Sequence, residues 1–177
     1  MELARCARTG ERSALASLLE THYDFIRRAI YCHVGPCADL DDLQQTVLLR
    51  VVSSIKNFRG DSSPAIWIHG ICVHVVRDYL RRKVTRRIMQ TDPEMDVRRS
   101  PECGTHDNAE RSEDARMARR ALARLSVNHR TVLVLRLVYG YSVDEIAVMT
   151  TSAKSTTRLR LYYARRAFVK ALDEVAP

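Results

Sequence analysis

Residues 142–166 read SVDEIAVMTTSAKSTTRLRLYYARR, and the two halves of that stretch differ in kind. The first opens on Ser142 with Glu145 three places later. A serine hydroxyl in that position accepts from the Glu145 amide while the glutamate reaches back to the Ser142 amide, which marks a helix start. Val143, Ile146, Ala147 and Met149 give the helix a short apolar face, and Thr150-Thr151-Ser152-Ala153 reads as a turn. The second half, continued to about Leu172, predicts a longer helix. It carries Lys154, Arg158, Arg160, Arg165, Arg166 and Lys170 with no acidic residue among them. Two helices joined by a tight turn, the second of them basic, spell a helix-turn-helix whose second helix enters the major groove by its N-terminus.

That geometry sorts the side chains. Ser155, Thr156, Arg158 and Tyr162 are the candidates for base edges, arginine being the best reader of guanine. Arg165 and Arg166 suit phosphates, which position without specifying. Lys154 and Arg160 complete the expected duplex-facing set. Upstream, Ala115–Leu125 predicts one helix and Val127–Tyr139 another, ended by Gly140. The competing reading is a four-helix scaffold whose basic face is merely solvated.

Further towards the N-terminus the period stays near 3.6 residues, the signature of amphipathic helix. From Glu11 to about His33 the apolar positions are Leu15, Leu18, Leu19, Ile26 and Ile30. Pro36 and the acidic run Asp39-Leu40-Asp41-Asp42 break that pattern, and the aspartates favour the positive end of the next helix. This second helix, Leu40 to Asn57, has Leu43, Val47, Val51, Ile55 and Phe58 in one stripe. Asp42, Gln45, Thr46, Leu49 and Arg50 lie opposite. Leu49 is either an exposed apolar contact or the edge of a wide apolar face. After the loop Phe58–Pro64, Pro64 suits the first turn of a third helix running to Lys83 or beyond. Its core stripe is Ile68, Ile71, Cys72, Val75, Tyr79 and Leu80. Six basic groups between Arg77 and Arg87, opposed only by Asp78, favour a phosphate-facing surface.

The chain has 177 residues and a formal charge of +8, which suits one or two small domains with a polyanionic partner. The charge is unevenly spread. Residues 1–83 hold 12 basic and 9 acidic groups, residues 84–118 hold 6 and 8, and residues 119–177 hold 11 and 4. The acidic middle also contains Asp92-Pro93, Ser100-Pro101, Gly104 and Asp107-Asn108, so it reads as a flexible linker between two helical domains. The expected partition is 1–87, linker 88–114, and 115–177, an all-α fold throughout. No stretch resembles a signal peptide or a span, so a cytoplasmic protein is expected. Five scattered cysteines do not make a disulfide framework. Cys32-His33 with Cys37, and His69-Cys72-His74, match no closed metal site, and no cofactor is expected. No glycine loop, nucleophile elbow or carboxylate dyad is present, which disfavours an enzyme or a small-molecule substrate.

Several of these motifs resemble a known family in order and spacing. Asp41-Asp42-Leu43-Gln44-Gln45-Thr46-Val47-Leu48-Leu49-Arg50, Phe58-Arg59-Gly60-Asp61, Trp67 and Arg77-Asp78-Tyr79-Leu80-Arg81-Arg82 resemble region two of bacterial extracytoplasmic-function sigma factors. Arg130–Arg136, Gly140-Tyr141-Ser142, Glu145-Ile146-Ala147 and Ala164-Arg165-Arg166-Ala167 resemble region four. The resemblance implies a region-two helical bundle and a region-four helix-turn-helix, and recognition in place of catalysis. Asp42, Gln45 and Leu49 then match the helix that docks on the β′ clamp of core RNA polymerase. Asn57, Arg59, Asp61, Ser62, Trp67, His74, Arg77, Arg81 and Arg82 match the parts that open the −10 promoter element and hold one strand. The helix-turn-helix would read the −35 element as duplex, and the linker would thread the polymerase channels. An anti-sigma factor, often membrane-bound, is the further partner implied.

The chain departs from the pattern at a few places. Pro64 and Ala65 replace an aromatic and basic pair, Gly70 and His74 replace an Arg and an Asn, and Thr151 stands where the turn glycine usually does. Ser155-Thr156-Thr157 replaces Gly-Thr-Val. Trp67 suits a wedge in melted DNA or an anchor between helices. With φ above zero disfavoured for a β-branched residue, Thr151 is expected to close its turn at negative φ. Two rival readings are a stand-alone helix-turn-helix regulator and a sigma-like module that only sequesters an anti-sigma factor.

Overall fold

A computed structural model describes residues 1–90 and 113–175. The order is α1 (Glu2–Arg8), α2 (Arg12–Val34), α3 (Leu40–Ser54) with a 3₁₀ turn at Ile55–Asn57, and α4 (Pro64–Gln90). Then come α5 (Glu113–Arg124), α6 (Val127–Leu133) continued by a π turn at Val134–Val138, α7 (Val143–Met149) and α8 (Lys154–Asp173). Among the described residues there is no strand. The expected helices all form, within a few residues of their expected ends. Most of the expected linker, 88–114, lies outside the described residues; α4 reaches Gln90 and α5 begins at Glu113.

Helix α1 has no counterpart in the periodicity reading. Its buried contacts are Ala4 and Ala7, and alanines do not stand out as an apolar stripe. They pack with Ala14, Leu18, Ile55 and Phe58 in a small cluster that closes the far end of the first domain. The main core of that domain joins α2, α3 and α4 through Ile26, Ile30, Leu43, Val47, Val51, Ile68, Cys72 and Val75. Buried Gln44 sets the α2–α3 register: its side chain donates to the Tyr23 carbonyl at 3.1 Å and accepts from Arg27 at 3.1 Å. Trp67 is half-buried with its ring 5.3 Å from that of Phe58, the anchor alternative.

In the second domain Leu125, Val132, Leu133, Leu135, Ile146, Met149, Leu161 and Ala164 form one core. Ser126 caps α6, accepting from the His129 amide at 3.3 Å. The capping box of α7 forms as expected, with Glu145 N–H to Ser142 Oγ at 3.2 Å and Ser142 N–H to Glu145 Oε2 at 2.8 Å. At the other end of α7 the chain corrects one expectation. Thr151 sits at φ +50°, in the left-handed region. The reason is the helix end itself. Thr151 N–H bonds the Val148 carbonyl and Ser152 N–H the Ala147 carbonyl, the paired bonds of a Schellman stop, which demand a left-handed residue between them. A threonine there costs about 1–2 kcal/mol relative to a right-handed placement.

The two domains are not held apart. Helix α4 is buried on two sides: Ile68, Cys72 and Val75 face the first core, while Val73 belongs to the second. Tyr139, just after the π turn, packs in return on the first core.

Candidate nucleic-acid and polymerase surfaces

Helix α8 buries Thr157, Leu161, Ala164 and Ala171, so the positions between them point outward. Lys154, Ser155, Thr156, Arg158, Tyr162, Arg165 and Arg166 are all exposed. They form the continuous outer face expected of a recognition helix. Lys154 pairs with Asp144 at 2.8 Å, an exposed contact worth little on its own. Arg166 lies over the Tyr162 ring at 5.8 Å, which steadies both groups. Arg160 differs from the rest. It is half-buried and donates to Ser152 Oγ at 2.7 Å, holding the turn instead of extending into solvent.

On α3, Leu49 is 70% exposed, so its side chain lies on the surface. Asp42 and Gln45 are exposed on the same face, and Val52 adjoins them at 43%. The spacing 42, 45, 49, 52 follows one side of a helix. The sequence reading missed Val52; its place three residues beyond Leu49 was the available signal. Arg50, on the flank, reaches Asp78 of α4 at 3.4 Å.

The residues expected to meet an opened strand divide into two groups. Asn57, Arg59, Asp61, Arg81 and Arg82 are exposed and Ser62 partly so, in the loop before α4 and along its later turns. His74, itself exposed, and half-buried Arg77 also meet the second domain. Arg77 donates to the Thr150 carbonyl at 3.2 Å and to Asn128 Oδ1 at 3.1 Å, and the Thr151 hydroxyl lies 3.4 Å from His74 Nε2. Burial, with Arg81 and Arg160 nearby, pulls the Arg77 pKa down.

Beneath this contact lies a cluster that sequence reasoning did not find. His33 from α2 and His69 from α4 are buried with ring centroids 6.0 Å apart. His69 Nδ1 meets the Tyr141 hydroxyl at 3.1 Å, and the Tyr139 ring lies 4.4 Å away. Arg130 reaches the His33 carbonyl at 3.5 Å. Burial lowers His33 to about 3, with His69 and Arg130 adding to it, and lowers His69 to about 4. Both rings are therefore neutral at pH 7. Burial raises the Cys72 thiol to about 12, so it is inert packing. No group of three or more His, Cys, Asp or Glu among the described residues is arranged to hold a metal. No described helix is long and apolar enough to cross a membrane.

The geometry thus offers an outward basic helix on a rigid turn and a separate acidic-apolar face on α3. Comparison with known proteins gives both a family. Residues 18–86 match the model for Sigma-70 region 2, and residues 115–168 match that for Sigma-70, region 4. The ECF RNA polymerase sigma factor SigX of Bacillus subtilis is 30% identical over 133 residues, covering 73% of this chain and 69% of its own. SigM of Mycobacterium tuberculosis is 29% identical over 171 residues, covering 97% and 83%. In fold, the chain resembles the sigma factor RpoE solved with the anti-sigma factor NepR from Bartonella quintana (TM-score 0.69, 20% identity, 88% of this chain and 94% of that one). It also resembles CnrH solved with the cytosolic domain of CnrY (TM-score 0.64, 20% identity, 98% and 97%). With region two and region four both matched in order, the chain belongs to the extracytoplasmic-function RNA polymerase sigma factors of the sigma-70 family.

Proposed function

We propose the following division of labour within a sigma factor that binds core polymerase and directs it to promoters. Helix α8 reads the −35 element as duplex. Ser155, Thr156, Arg158 and Tyr162 face base edges, Lys154, Arg165 and Arg166 face phosphates, and Arg160 braces the turn. The exposed face Asp42-Gln45-Leu49-Val52 docks on the β′ clamp. The loop Asn57–Ser62 with His74, Arg77, Arg81 and Arg82 takes the non-template strand of the −10 element, where unpaired bases gain a pocket and the displaced strand a basic groove. Trp67 supports that loop from beneath through Phe58. In this division the 1–87 unit melts, the 115–177 unit reads and the intervening acidic segment connects. The chain works by recognition, with chemistry left to the polymerase, in the cytoplasm.

The observation that carries the reading is the outer face of α8: every candidate contact but Arg160 is exposed, on a helix whose start is fixed by a tight turn and whose inner face is core. An anti-sigma factor, membrane-bound or free, is proposed as regulator. One of the two fold neighbours named above, RpoE, was solved with an anti-sigma factor. Reconstituted transcription with purified core polymerase tests the scheme. Arg158→Ala is expected to lower use of promoters that need their −35 element while sparing core binding, whereas Leu49→Asp lowers core binding. Equal loss of both activities in either variant refutes the division.

A further inference from the structure

Helix α8 carries three large side chains that the core of its domain does not use. Leu159, Tyr162 and Tyr163 are each more than half exposed. A single exposed leucine is ordinary, but three such residues within five positions make a patch, and a patch marks a contact. The helix sets their direction. Its buried side runs through Thr157, Leu161, Ala164 and Ala171. At about 100° per residue, the opposite side runs through Ser155, Leu159, Tyr162 and Arg166. Leu159 therefore points more squarely away from the core than Arg158 does. It also lies in the second turn of α8, among the residues that a helix-turn-helix brings to base edges.

Tyr162 is restrained on that side. Arg166 lies over its ring at 5.8 Å and donates to its hydroxyl at 3.4 Å, and the Tyr163 ring meets it edge to face at 5.3 Å. An aromatic group held in this way loses little freedom on binding. Leu159 is three residues before Tyr162 and four before Tyr163, so aliphatic and aromatic surface adjoin along the helix. The surroundings are cationic. Lys154, Arg158, Arg165 and Arg166 are exposed, and no acidic residue occurs between Lys154 and Leu172. An apolar patch ringed by cations alone fits a polyanion whose own surface carries apolar groups, and duplex DNA is one: thymine presents its C5-methyl in the major groove.

We propose that Leu159, backed by the Tyr162–Tyr163 pair, reads thymine methyls, so that this chain selects its duplex element by apolar contact beside the base taken by Arg158. The inference rests on α8 being the duplex reader and adds what that helix selects. Leucine has neither donor nor acceptor. Placed over a guanine, cytosine or adenine edge it covers polar groups and satisfies none of them, which is unfavourable. Placed over a thymine it buries a methyl. Arg158 thus discriminates by the bonds it makes and Leu159 by the base edges it refuses, and the two act on neighbouring positions. Leu159 and Tyr163 become specificity-determining residues alongside the polar set already assigned.

Deleting one methyl from the DNA tests this. Holoenzyme formed from the full chain and core polymerase first enriches bound sequences from a library of short randomised duplexes. The best-bound duplex is then made with deoxyuridine in place of one thymine at a time, which removes the C5-methyl and nothing else. Wild type is expected to lose about three- to fivefold in affinity at one or two of these thymines, the size of one methyl's burial. Leu159→Ala should bind the thymine and uracil duplexes alike, at unchanged helical circular dichroism, because the side chain lies outside the core. Leu159→Met, similar in volume and still apolar, should keep the preference. Arg158→Ala should bind both duplexes more weakly with the thymine-to-uracil ratio retained. A wild type indifferent to every uracil substitution overturns the proposal, the result expected of a patch kept for a protein partner. A Leu159→Ala chain that keeps the wild-type ratio overturns it too. The duplex reading is judged separately: if holoenzyme enriches no sequence, or Arg158→Ala binds the enriched duplex as well as wild type does, α8 is not the reader and the methyl contact falls with it.

Discussion

Lowering the pH from 7.5 to 5.0 should destabilise this protein by way of two side chains. His33 and His69 are held at about 3 and about 4 by burial, against about 6.5 in the unfolded chain. Folded values that lie below the unfolded one mean that unfolding takes up protons. Stability is therefore flat above pH 6.5 and falls as pH drops towards the folded values. Between pH 6 and pH 5 both rings bind a proton only when unfolded, so the slope approaches about 2.7 kcal/mol per pH unit, two protons' worth. At pH 5 the loss reaches roughly 2 kcal/mol for each ring. Against a typical total of about 5–15 kcal/mol, that is large. Urea unfolding followed by circular dichroism at half-unit steps measures it, and the window spares the carboxylates, which stay mostly ionised. His33→Leu supplies the internal check. Both ring nitrogens of His33 are buried without a partner, so the variant should gain about 1–2 kcal/mol at pH 7.5 and lose one proton from the slope. A flat profile across the window, or an unchanged slope in the variant, refutes the claim that these histidines are buried and neutral.

Thr151→Gly relieves the left-handed strain at the end of α7 and should stabilise the chain by roughly 0.5–1 kcal/mol in thermal melts, whereas Thr151→Ala, still strained, should not. Leu49→Asp should leave the melting temperature within error and reduce core-polymerase capture in a pull-down; a collapsed fold would show that Leu49 is core after all. For Arg158→Ala, titration of a −35 duplex at several salt concentrations should show a loss of affinity of about 1–3 kcal/mol with the salt slope nearly unchanged. Arg165→Ala should instead lower the slope by about one counterion.

What the sequence determined by itself is whatever depends on neighbours along the chain. The 3.6 period placed α2, α3, α4 and α8; Ser142 with Glu145 placed the start of α7; the basic run from Lys154 placed the outward face of the recognition helix. Each rests on contacts within about four residues, which residue types and spacing encode directly. Helix α1 escaped because its buried residues are alanines, whose small side chains give no stripe, and the exposure of Leu49 stayed open because both of its readings obey the same period. Tertiary structure alone decided the rest. The left-handed Thr151 comes from the bonds that close α7. Gln44 is a polar residue inside because Tyr23 and Arg27, about twenty residues away, satisfy it. His33, His69 and Tyr141 are scattered through the sequence and form a site only when α2, α4 and the second domain meet. The same meeting gives α4 its second buried side. Helix α4 was legible as a core element and, by resemblance, as a candidate strand-binding surface, but not as the place where the two domains meet. That depends on complementarity between surfaces far apart in the chain, which no local pattern carries.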